Sequence, residues 1–548
     1  MERQPAQHAS VVERLARMLA DEDTEIVFGV TGDGNLELLT ELTTKYGIPF
    51  VHARHEQGAV AMAEGYARFS GRIGVCTVTM GPGLTNTATS LATAVASRAP
   101  VLLIAADVAA SDVHHVQHLD QAAFVRSTGC AFQPVFADTA EADLAAAFRH
   151  LRGGRGPVVL DFPLDVQQVR GLPAPSTPFA AVPAPPTQPA DDALDAAAEL
   201  LAHAERAVML IGRGVLASVG GEAAVRELAQ KLACPVATTF MAHGALHDYE
   251  RSIGLSSALS APATIEALEG ADCILAVGAS LNTWTTAGGT LVRNATLIQI
   301  DADPAAIGRI TLVHAGLAGD AALTCRALAA RLEPRGDAAR PNDAPGAPTD
   351  YQDLPDAIDP RRSLDALDAA LDERRLVVLD TGHFTILALQ HLTVSDPRRF
   401  ALTLSFAAIG QGLPTAIGAA YAHPGERLTV VAGDGGLLMS LNELETAIRS
   451  RLPLTIFVIN DAGYGQERHS AEAKGLARSL ADHDTPDLAA VARAMGGSGL
   501  RLDSPAGLEK LPAALAEADG TLLVDVRVNP TFVSPASAEI ARRMRGAY

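Results

Sequence analysis

Residues 428–465 read LTVVAGDGGLLMSLNELETAIRSRLPLTIFVINDAGYG and predict the fold of the region around them. Two runs of apolar, often β-branched residues flank a glycine-rich turn and an amphipathic stretch, which predicts strand, turn, helix, strand and second turn. Strands that are apolar along their whole length are typical of parallel sheets with helices on both faces. The segment therefore predicts an α/β unit whose two turns follow the carboxyl ends of two strands.

The same alternation of short apolar runs and Ala-rich helical stretches recurs along the chain. Pro- and Ala-rich stretches interrupt it from about residue 172 and over 334–360, which is typical of linkers. We therefore predict three α/β domains, each a doubly wound parallel sheet, at 1–172, 188–333 and 361–548. The other apolar runs are EIVFGV, IGVCTVT, VLLIAA and PVVLDF in the first domain, AVMLIG, CILAVG and TLIQID in the second, and LVVLD and LLVDVRV in the third.

Composition argues against several classes of function. Charged residues make up 19% of the chain and no apolar run approaches the roughly 20 residues of a membrane-spanning helix, so no membrane association is expected. A formal net charge of −20 argues against nucleic-acid binding. The start MERQPAQHAS lacks a secretory pattern and the five scattered cysteines lack metal-ligand spacing, so we expect a cytoplasmic protein with free thiols.

Carboxylates stand at both turns of the opening segment. A carboxylate at Asp434, in a turn that suits a phosphate, makes sense if a cation lies between the two negative groups. Asp461, after the next strand, supplies a second hard oxygen ligand of the kind that Mg²⁺ prefers. We therefore predict a Mg²⁺ and phosphate site at the carboxyl edge of the sheet. The glycines that let the backbone approach a phosphate are Gly433, Gly435 and Gly436.

This pattern resembles the diphosphate and Mg²⁺ motif of enzymes that depend on thiamine diphosphate (ThDP), in which GDG is followed at a fixed interval by a pair of asparagines. Here the second asparagine is replaced by Asp461. The resemblance implies that Asp434, Asp461 and the backbone carbonyl of Gly463 bind Mg²⁺, with one negative charge more than usual. It also implies that Tyr464 and Gly465, in the second turn, line the cofactor.

The stretch FVHARHEQGAVAMAEGYARFSGRIGVCTVTMGPGLTN, which contains Glu56, resembles the pyrimidine-binding domain of acetohydroxyacid (acetolactate) synthase-like ThDP enzymes. Their catalytic glutamate lies in the same HExxA context, although a glutamate at a helix start also interacts favourably with the helix dipole. The resemblance implies that Glu56 favours the imino form of the aminopyrimidine, whose nitrogen removes the thiazolium C2 proton. The resemblance further implies that Ile409 bends the cofactor, with ordinary packing in the hydrophobic core as the alternative for this residue. It also implies that Gly382 and His383 contact the cofactor.

The resemblance covers nearly the whole chain in the order pyrimidine domain, central domain, diphosphate domain. It implies that the cofactor lies between the first domain of one subunit and the third of another, and hence a homodimer or homotetramer. The central domain looks Rossmann-like. Flavin-binding members carry an arginine that the stretch GASLN lacks, and GRG is too short for a dinucleotide motif, so FAD is possible but not expected.

The expected substrate pocket departs from true acetohydroxyacid synthases. Ser470 stands where their substrate-selecting tryptophan falls, and VQH replaces their Phe-Gln-Glu run. Decarboxylases of the superfamily carry a His pair in a comparable loop, and imidazole can deliver a proton near neutral pH, so we expect catalytic roles for His118 and His383. A solvated polar loop is the alternative for the loop histidines. The other expected pocket residues are His114, His115 and Gln117.

The resemblance implies an enzyme that decarboxylates a 2-oxo acid and either protonates the resulting enamine or joins it to a second carbonyl. Two alternatives stay open. One is a ThDP-dependent lyase of 2-hydroxy ketones or 2-hydroxyacyl-CoA thioesters, and the other is a non-catalytic subunit with the same fold. Glu56, Asp434 and Asp461 together argue against the non-catalytic subunit, and steady release of CO₂ separates the first two activities.

Overall fold

The computed structural model describes residues 9–171, 185–258, 260–336 and 350–534. Within them the chain forms three sheets of six parallel strands with flanking helices, which confirms the predicted α/β architecture. The boundary predicted at 172 and residues 337–349 of the predicted linker 334–360 lie outside the described residues. In the described part of the chain, no helix is both long and apolar enough to cross a membrane.

Four of the six strands of the first sheet lie on the predicted apolar runs. Its strands are β1 (Val27–Gly29), β2 (Phe50–His52), β3 (Gly74–Val78), β4 (Val101–Asp107), β5 (Ala131–Pro134) and β6 (Val158–Pro163). Its helices are α1 (Val11–Asp21), α2 (Leu36–Lys45), α3 (Glu56–Ser70), α4 (Pro82–Thr85), α5 (Ala88–Ser97), α6 (Gln121–Ser127), α7 (Ala140–Arg152) and α8 (Leu164–Gln167). The strand order is β2-β1-β3-β4-β6-β5.

The central sheet has a different strand order. Its strands are β7 (Ala207–Ile211), β8 (Val236–Thr238), β9 (Ser252–Leu255), β10 (Cys273–Val277), β11 (Thr296–Asp301) and β12 (Ala315–Ala318). Its helices are α9 (Asp191–His203), α10 (Arg213–Ala217), α11 (Gly221–Leu232), α12 (Pro262–Glu269) and α13 (Ala321–Arg331). The order β12-β11-β10-β7-β8-β9 is that of a Rossmann fold, as predicted.

The third sheet repeats the strand order of the first. Its strands are β13 (Leu376–Leu379), β14 (Phe400–Leu402), β15 (Leu428–Gly433), β16 (Leu454–Asn460), β17 (Ser498–Leu502) and β18 (Leu522–Arg527). Its helices are α14 (Pro360–Ala370), α15 (Phe384–His391), α16 (Gly412–Ala422), α17 (Asp434–Met439), α18 (Asn442–Arg449), α19 (Gly465–Lys474), α20 (Leu488–Ala494) and α21 (Leu511–Glu517). The order is β14-β13-β15-β16-β18-β17, so β15 and β16 are neighbours.

The first and third domains share one hydrophobic core. Every residue of β16 is buried, because helices cover both faces of the sheet. Helices α3 and α16 cross at close range, since Gly65 faces the carbonyl of Thr415 and Gly418 faces the carbonyl of Met62. A Cβ at Gly418 would lie 1.8 Å from that Met62 oxygen. This contact fixes the orientation of α3, and with it the start of α3 at Glu56.

Gly418→Ala should therefore destabilise the protein by about 3 kcal/mol, the scale of an overpacked core, because a backbone carbonyl cannot move out of the way as a side chain can. Urea unfolding followed by far-UV circular dichroism measures the change. Gly507→Ala is the matched control, since a Cβ there meets its nearest side-chain atom at an ordinary 3.5 Å. Equal midpoints for the two variants would contradict the close approach of α3 and α16.

Candidate active site

Two buried carboxylates lie at the carboxyl ends of β15 and β16. Asp434 is 1% exposed and Asp461 is 5% exposed. Asp434 accepts hydrogen bonds through Oδ2 from the Thr485 hydroxyl at 2.8 Å and from the Gly463 N–H at 3.2 Å. Burial, and secondarily the charge of Asp461, raises the pKa of Asp434. The structure thus brings together the two predicted metal ligands and the predicted third residue, Gly463.

Asp461 lies between an arginine and an imidazole. Arg468 Nη1 donates to Asp461 Oδ2 at 2.9 Å, and His383 Nε2 lies 3.7 Å from the same oxygen. Burial raises the pKa of Asp461, and the charge of Arg468 acts in the opposite direction. Gly465 makes this approach possible, because a Cβ there would lie 2.4 Å from both Asp461 Oδ2 and His383 Cε1.

The donor set suits a hard divalent cation. Mg²⁺ is commonly held by one or two carboxylates while phosphate and water complete its shell. Asp461 lies close enough to raise the pKa of Asp434, because the two negative charges repel each other. A cation between the two carboxylates would relieve that repulsion. Among the described residues no group of three or more His, Cys, Asp or Glu side chains forms a metal site. The residues that could hold Mg²⁺ are Asp434, Asp461 and the carbonyl of Gly463.

The glycines of the first turn leave room for neighbouring side chains. A Cβ at Gly435 would lie 2.8 Å from the ring of Tyr464, and one at Gly436 would lie 2.8 Å from Asp380 Oδ2. A Cβ at Gly433 would meet the Phe384 ring at 3.1 Å. Neighbouring side chains therefore reach the backbone of this turn closely, which the phosphate argument from sequence did not anticipate.

Asp380 organises the turn that carries Ile409. Its buried carboxylate accepts hydrogen bonds from the N–H groups of Gly410 at 2.9 Å and Gly412 at 3.1 Å, and from the Thr403 hydroxyl at 3.1 Å. Gly410 has a φ of 79°, which favours glycine. Ile409 is thereby held at the carboxyl edge of the third sheet, next to the turn of Asp434. Gly382 lies two residues beyond Asp380 and leaves room for the ring of Phe384, because a Cβ at Gly382 would lie 2.4 Å from that ring.

Glu56 is the first residue of α3, as predicted. The amide of Asn86, at the end of the glycine-rich turn after β3, donates to Glu56 Oε2 at 2.9 Å. Glu443 of the third domain accepts from the N–H groups of Arg54 at 3.1 Å and His55 at 3.0 Å. The start of α3 is thus fixed by groups from two domains.

The histidine loop lies on the first domain, between β4 and α6. Gln117 packs against the glycine-rich turn, because a Cβ at Gly81 would lie 2.6 Å from the Gln117 carbonyl oxygen. His115 Nδ1 accepts from the Gln117 N–H at 3.2 Å, and His114 and His118 are exposed. The loop therefore adjoins the turn that supports Glu56, whereas His383 and Ser470 belong to the third domain.

His383 is paired with a histidine that was not predicted. The ring centroids of His383 and His469 lie 5.4 Å apart. Burial lowers the pKa of each imidazole to about 4, so both are neutral at physiological pH. Neither ring nitrogen of His469 has a hydrogen-bond partner among the described residues. Ser470 follows His469 on α19, and its hydroxyl accepts from Gln466 at 3.4 Å.

Sequence reasoning missed several residues that shape the site. Asp380 could have been found, since it ends the predicted strand LVVLD at the same edge as Asp434. Arg468 carried one signal, a charge within the otherwise unexplained string QERHS. Other missed residues had no local signal, because each contacts a residue distant in sequence: Asn86, Glu443 and Thr485.

Comparison with known protein families matches three consecutive regions of the chain. Residues 9–124 match the N-terminal TPP binding domain of thiamine pyrophosphate enzymes. Residues 194–328 match the central domain, and residues 380–526 match the C-terminal TPP binding domain of the same enzymes. The three matches follow the order of the three sheets.

Individual relatives agree with these matches. The chain is 30% identical over 464 residues to probable acetolactate synthase 2, chloroplastic, of Oryza sativa subsp. japonica, covering 80% of this chain and 69% of that protein. It is 28% identical to acetolactate synthase 2, chloroplastic, of Zea mays, covering 92% and 83%. It is 29% identical to the acetolactate synthase isozyme 2 large subunit of Escherichia coli strain K12, covering 92% of each. The chain therefore belongs to the thiamine-diphosphate-dependent enzymes of the acetolactate synthase family.

Proposed function

We propose that the enzyme decarboxylates a 2-oxo acid and then either protonates the product or joins it to a second carbonyl compound, with Mg²⁺ held by Asp434, Asp461 and the carbonyl of Gly463. The observation that carries this proposal is the pair of buried carboxylates at the ends of β15 and β16. Such a pair gains from a cation, and Mg²⁺ would bring a diphosphate to the same edge of the sheet.

When bound, ThDP would supply a carbon nucleophile for the substrate carbonyl and an electron sink for the loss of CO₂. The chain's own residues position that nucleophile. Glu56 holds a carboxyl group for the aminopyrimidine ring, with Asn86 fixing its other oxygen at 2.9 Å. Ile409, on the turn held by Asp380, would support the cofactor, and Gly382, Tyr464 and Gly465 would line it.

Histidines from two domains would serve the substrate. His383, buried beside Asp461, is neutral at physiological pH and therefore offers a hydrogen bond rather than a charge. His118, on the exposed loop of the first domain, would deliver the proton when the product is released as an aldehyde. His114, His115 and Gln117 belong to the same loop, and we assign them to the rim of the substrate pocket.

We also propose that the active enzyme is a homodimer or homotetramer in the cytoplasm. Glu56 lies on the first domain and the metal ligands lie on the third, so a cofactor held between the two domains of different subunits would complete the site.

FAD has no role in the proposed reaction. In the central domain the loops after β7 and β10 are bonded to each other, with the Gly214 N–H donating to the Gly278 carbonyl at 3.0 Å.

A substrate screen tests the proposed reaction. Purified enzyme with ThDP and Mg²⁺ is given a panel of 2-oxo acids, each with and without acceptor aldehydes, and CO₂ release and chiral products are measured. We expect steady CO₂ release from at least one 2-oxo acid. Cleavage of 2-hydroxy ketones or 2-hydroxyacyl-CoA thioesters without any decarboxylation would contradict the proposal and support a lyase.

The specificity prediction concerns Ser470, which stands where acetohydroxyacid synthases carry a substrate-selecting tryptophan and whose small side chain would leave space in the proposed pocket. We expect Ser470→Trp to lower kcat/KM for large 2-oxo acids or acceptors by about tenfold or more while sparing pyruvate, since an indole would fill that space. Steady-state kinetics with both substrate classes measure the effect. Glu472→Trp, at an exposed position two residues along α19, is the control. An equal loss for both substrate classes in Ser470→Trp would place residue 470 outside the pocket.

A further inference from the structure

Arg468 is a fully buried charged side chain at the expected metal site. It is 1% exposed and is among the largest side chains that are completely covered. It reaches from α19 back to the turn after β16, and Gly463 makes room for it, because a Cβ there would lie 2.2 Å from Nη2. Its acceptors are Asp461 Oδ2 at 2.9 Å, the carbonyls of Asp461 at 3.1 Å, Ala462 at 3.2 Å and Pro530 at 3.4 Å, and Asp482 Oδ1 at 2.6 Å.

The positive charge of Arg468 compensates the negative charge of Asp461. An aspartate at this position has one negative charge more than the asparagine of the ThDP motif. Arg468 brings one positive charge onto Oδ2 of that carboxylate. A second carboxylate, Asp482, is more exposed and is also paired with Arg478 at 3.7 Å. A buried charge without a partner is strongly unfavourable, so Asp461 and Arg468 depend on each other.

We propose that Arg468 is a positioning residue that neutralises and orients Asp461. The Asp461–Arg468 pair then offers the metal an oxygen ligand without net charge, as the neutral asparagine does in the ThDP motif. The proposal rests on the Mg²⁺ site of the proposed function and deepens it. It implies that Asp461 cannot be changed to the motif's own asparagine without also changing Arg468. A purely structural arginine would not create that dependence.

Three variants separate charge balance from packing. Asp461→Asn removes the buried carboxylate that neutralises the guanidinium beside the cation and leaves the more exposed Asp482 as its ionic partner, so Mg²⁺ should bind about tenfold or more weakly. Adding Arg468→Gln, which keeps a donor for the turn carbonyls but removes the charge, should restore Mg²⁺ affinity to within about threefold of wild type. Adding Arg468→Lys instead keeps the charge and should give no recovery.

The measurement is a calorimetric titration of Mg²⁺ into each variant at saturating ThDP, with the melting temperature recorded with and without Mg²⁺. Arg468→Gln alone should lower the melting temperature of the metal-free protein, since Asp461 and Asp434 are then buried without a counter-charge. Mg²⁺ should recover more of this loss than it adds to wild type.

Two results would overturn the proposal. One is wild-type Mg²⁺ affinity in Asp461→Asn, and the other is a double variant Asp461→Asn, Arg468→Gln that binds Mg²⁺ no better than Asp461→Asn alone. If Arg468→Gln does not fold by itself, the comparison of the Gln and Lys double variants still decides the question. Failure of wild-type protein to bind Mg²⁺ and ThDP at all is a different result, since it would contradict the proposed function.

Discussion

Asp434→Ala should remove Mg²⁺-dependent activity and weaken ThDP binding by at least about a hundredfold. The diphosphate would then face Asp461 with no firmly held cation between them, and Mg²⁺ would keep only one of its two carboxylate ligands. The change should not damage the fold. Asp434 is buried beside a second carboxylate that helps to raise its pKa, so its removal relieves an unfavourable interaction in the metal-free protein.

Calorimetric titration with ThDP in the presence of Mg²⁺ measures this loss, and the melting temperature without ligand checks the fold. Asp484→Ala removes an exposed aspartate from the nearby loop and is the matched control. Asp434→Asn keeps an oxygen ligand without the charge, so it should bind Mg²⁺ with intermediate affinity. ThDP affinity equal to wild type in Asp434→Ala would rule out the proposed metal site.

Glu56→Gln should slow exchange of the C2 proton of bound ThDP by about 10² or more, the scale of a lost acid–base contact. The carboxamide has nearly the same size and can still meet the Asn86 amide, but it cannot share a proton with the pyrimidine ring. ThDP affinity should therefore change far less than the exchange rate, which distinguishes a chemical role from a binding role.

Quenched deuterium exchange followed by proton NMR gives the C2 rate, and titration calorimetry gives the affinity. Glu37→Gln, an exposed glutamate on α2 of the same domain, should exchange at the wild-type rate. Asn86→Ala should slow exchange less than Glu56→Gln does, because the carboxyl group remains but loses its 2.9 Å contact. An unchanged rate in Glu56→Gln would exclude Glu56 from cofactor activation.

Local pattern was sufficient to predict most of the fold and the approach of Asp434 to Asp461. The apolar runs of 428–465 became β15 and β16, and the two strands pair directly, with Gly433 opposite Ile459. Turns that follow neighbouring parallel strands meet at one edge of the sheet, so the approach of Asp434 to Asp461 followed from the strand assignment. The structure also begins α3 at Glu56, as the resemblance of that stretch to the pyrimidine-binding domain implied.

The supporting contacts could not be predicted because they join residues that are far apart in sequence. Glu443 belongs to another domain and accepts hydrogen bonds from the N–H groups of Arg54 and His55. The spacing of apolar and polar residues around these positions does not indicate that contact. Arg468 stands on a helix where a charge is usually solvated, and only the path of the turn after β16 buries it. The glycines of the first turn were predicted for a phosphate, whereas the structure also uses Gly436 to admit Asp380.

The central claim is that this chain binds ThDP and activates its C2 carbon. It is tested most directly by the C2 proton exchange rate of ThDP bound to wild-type enzyme with Mg²⁺, compared with free ThDP in the same buffer. The account predicts exchange faster than in free ThDP by about 10²–10⁴-fold, the range of a well-placed acid–base contact. Exchange of bound ThDP at the rate of the free cofactor would contradict it.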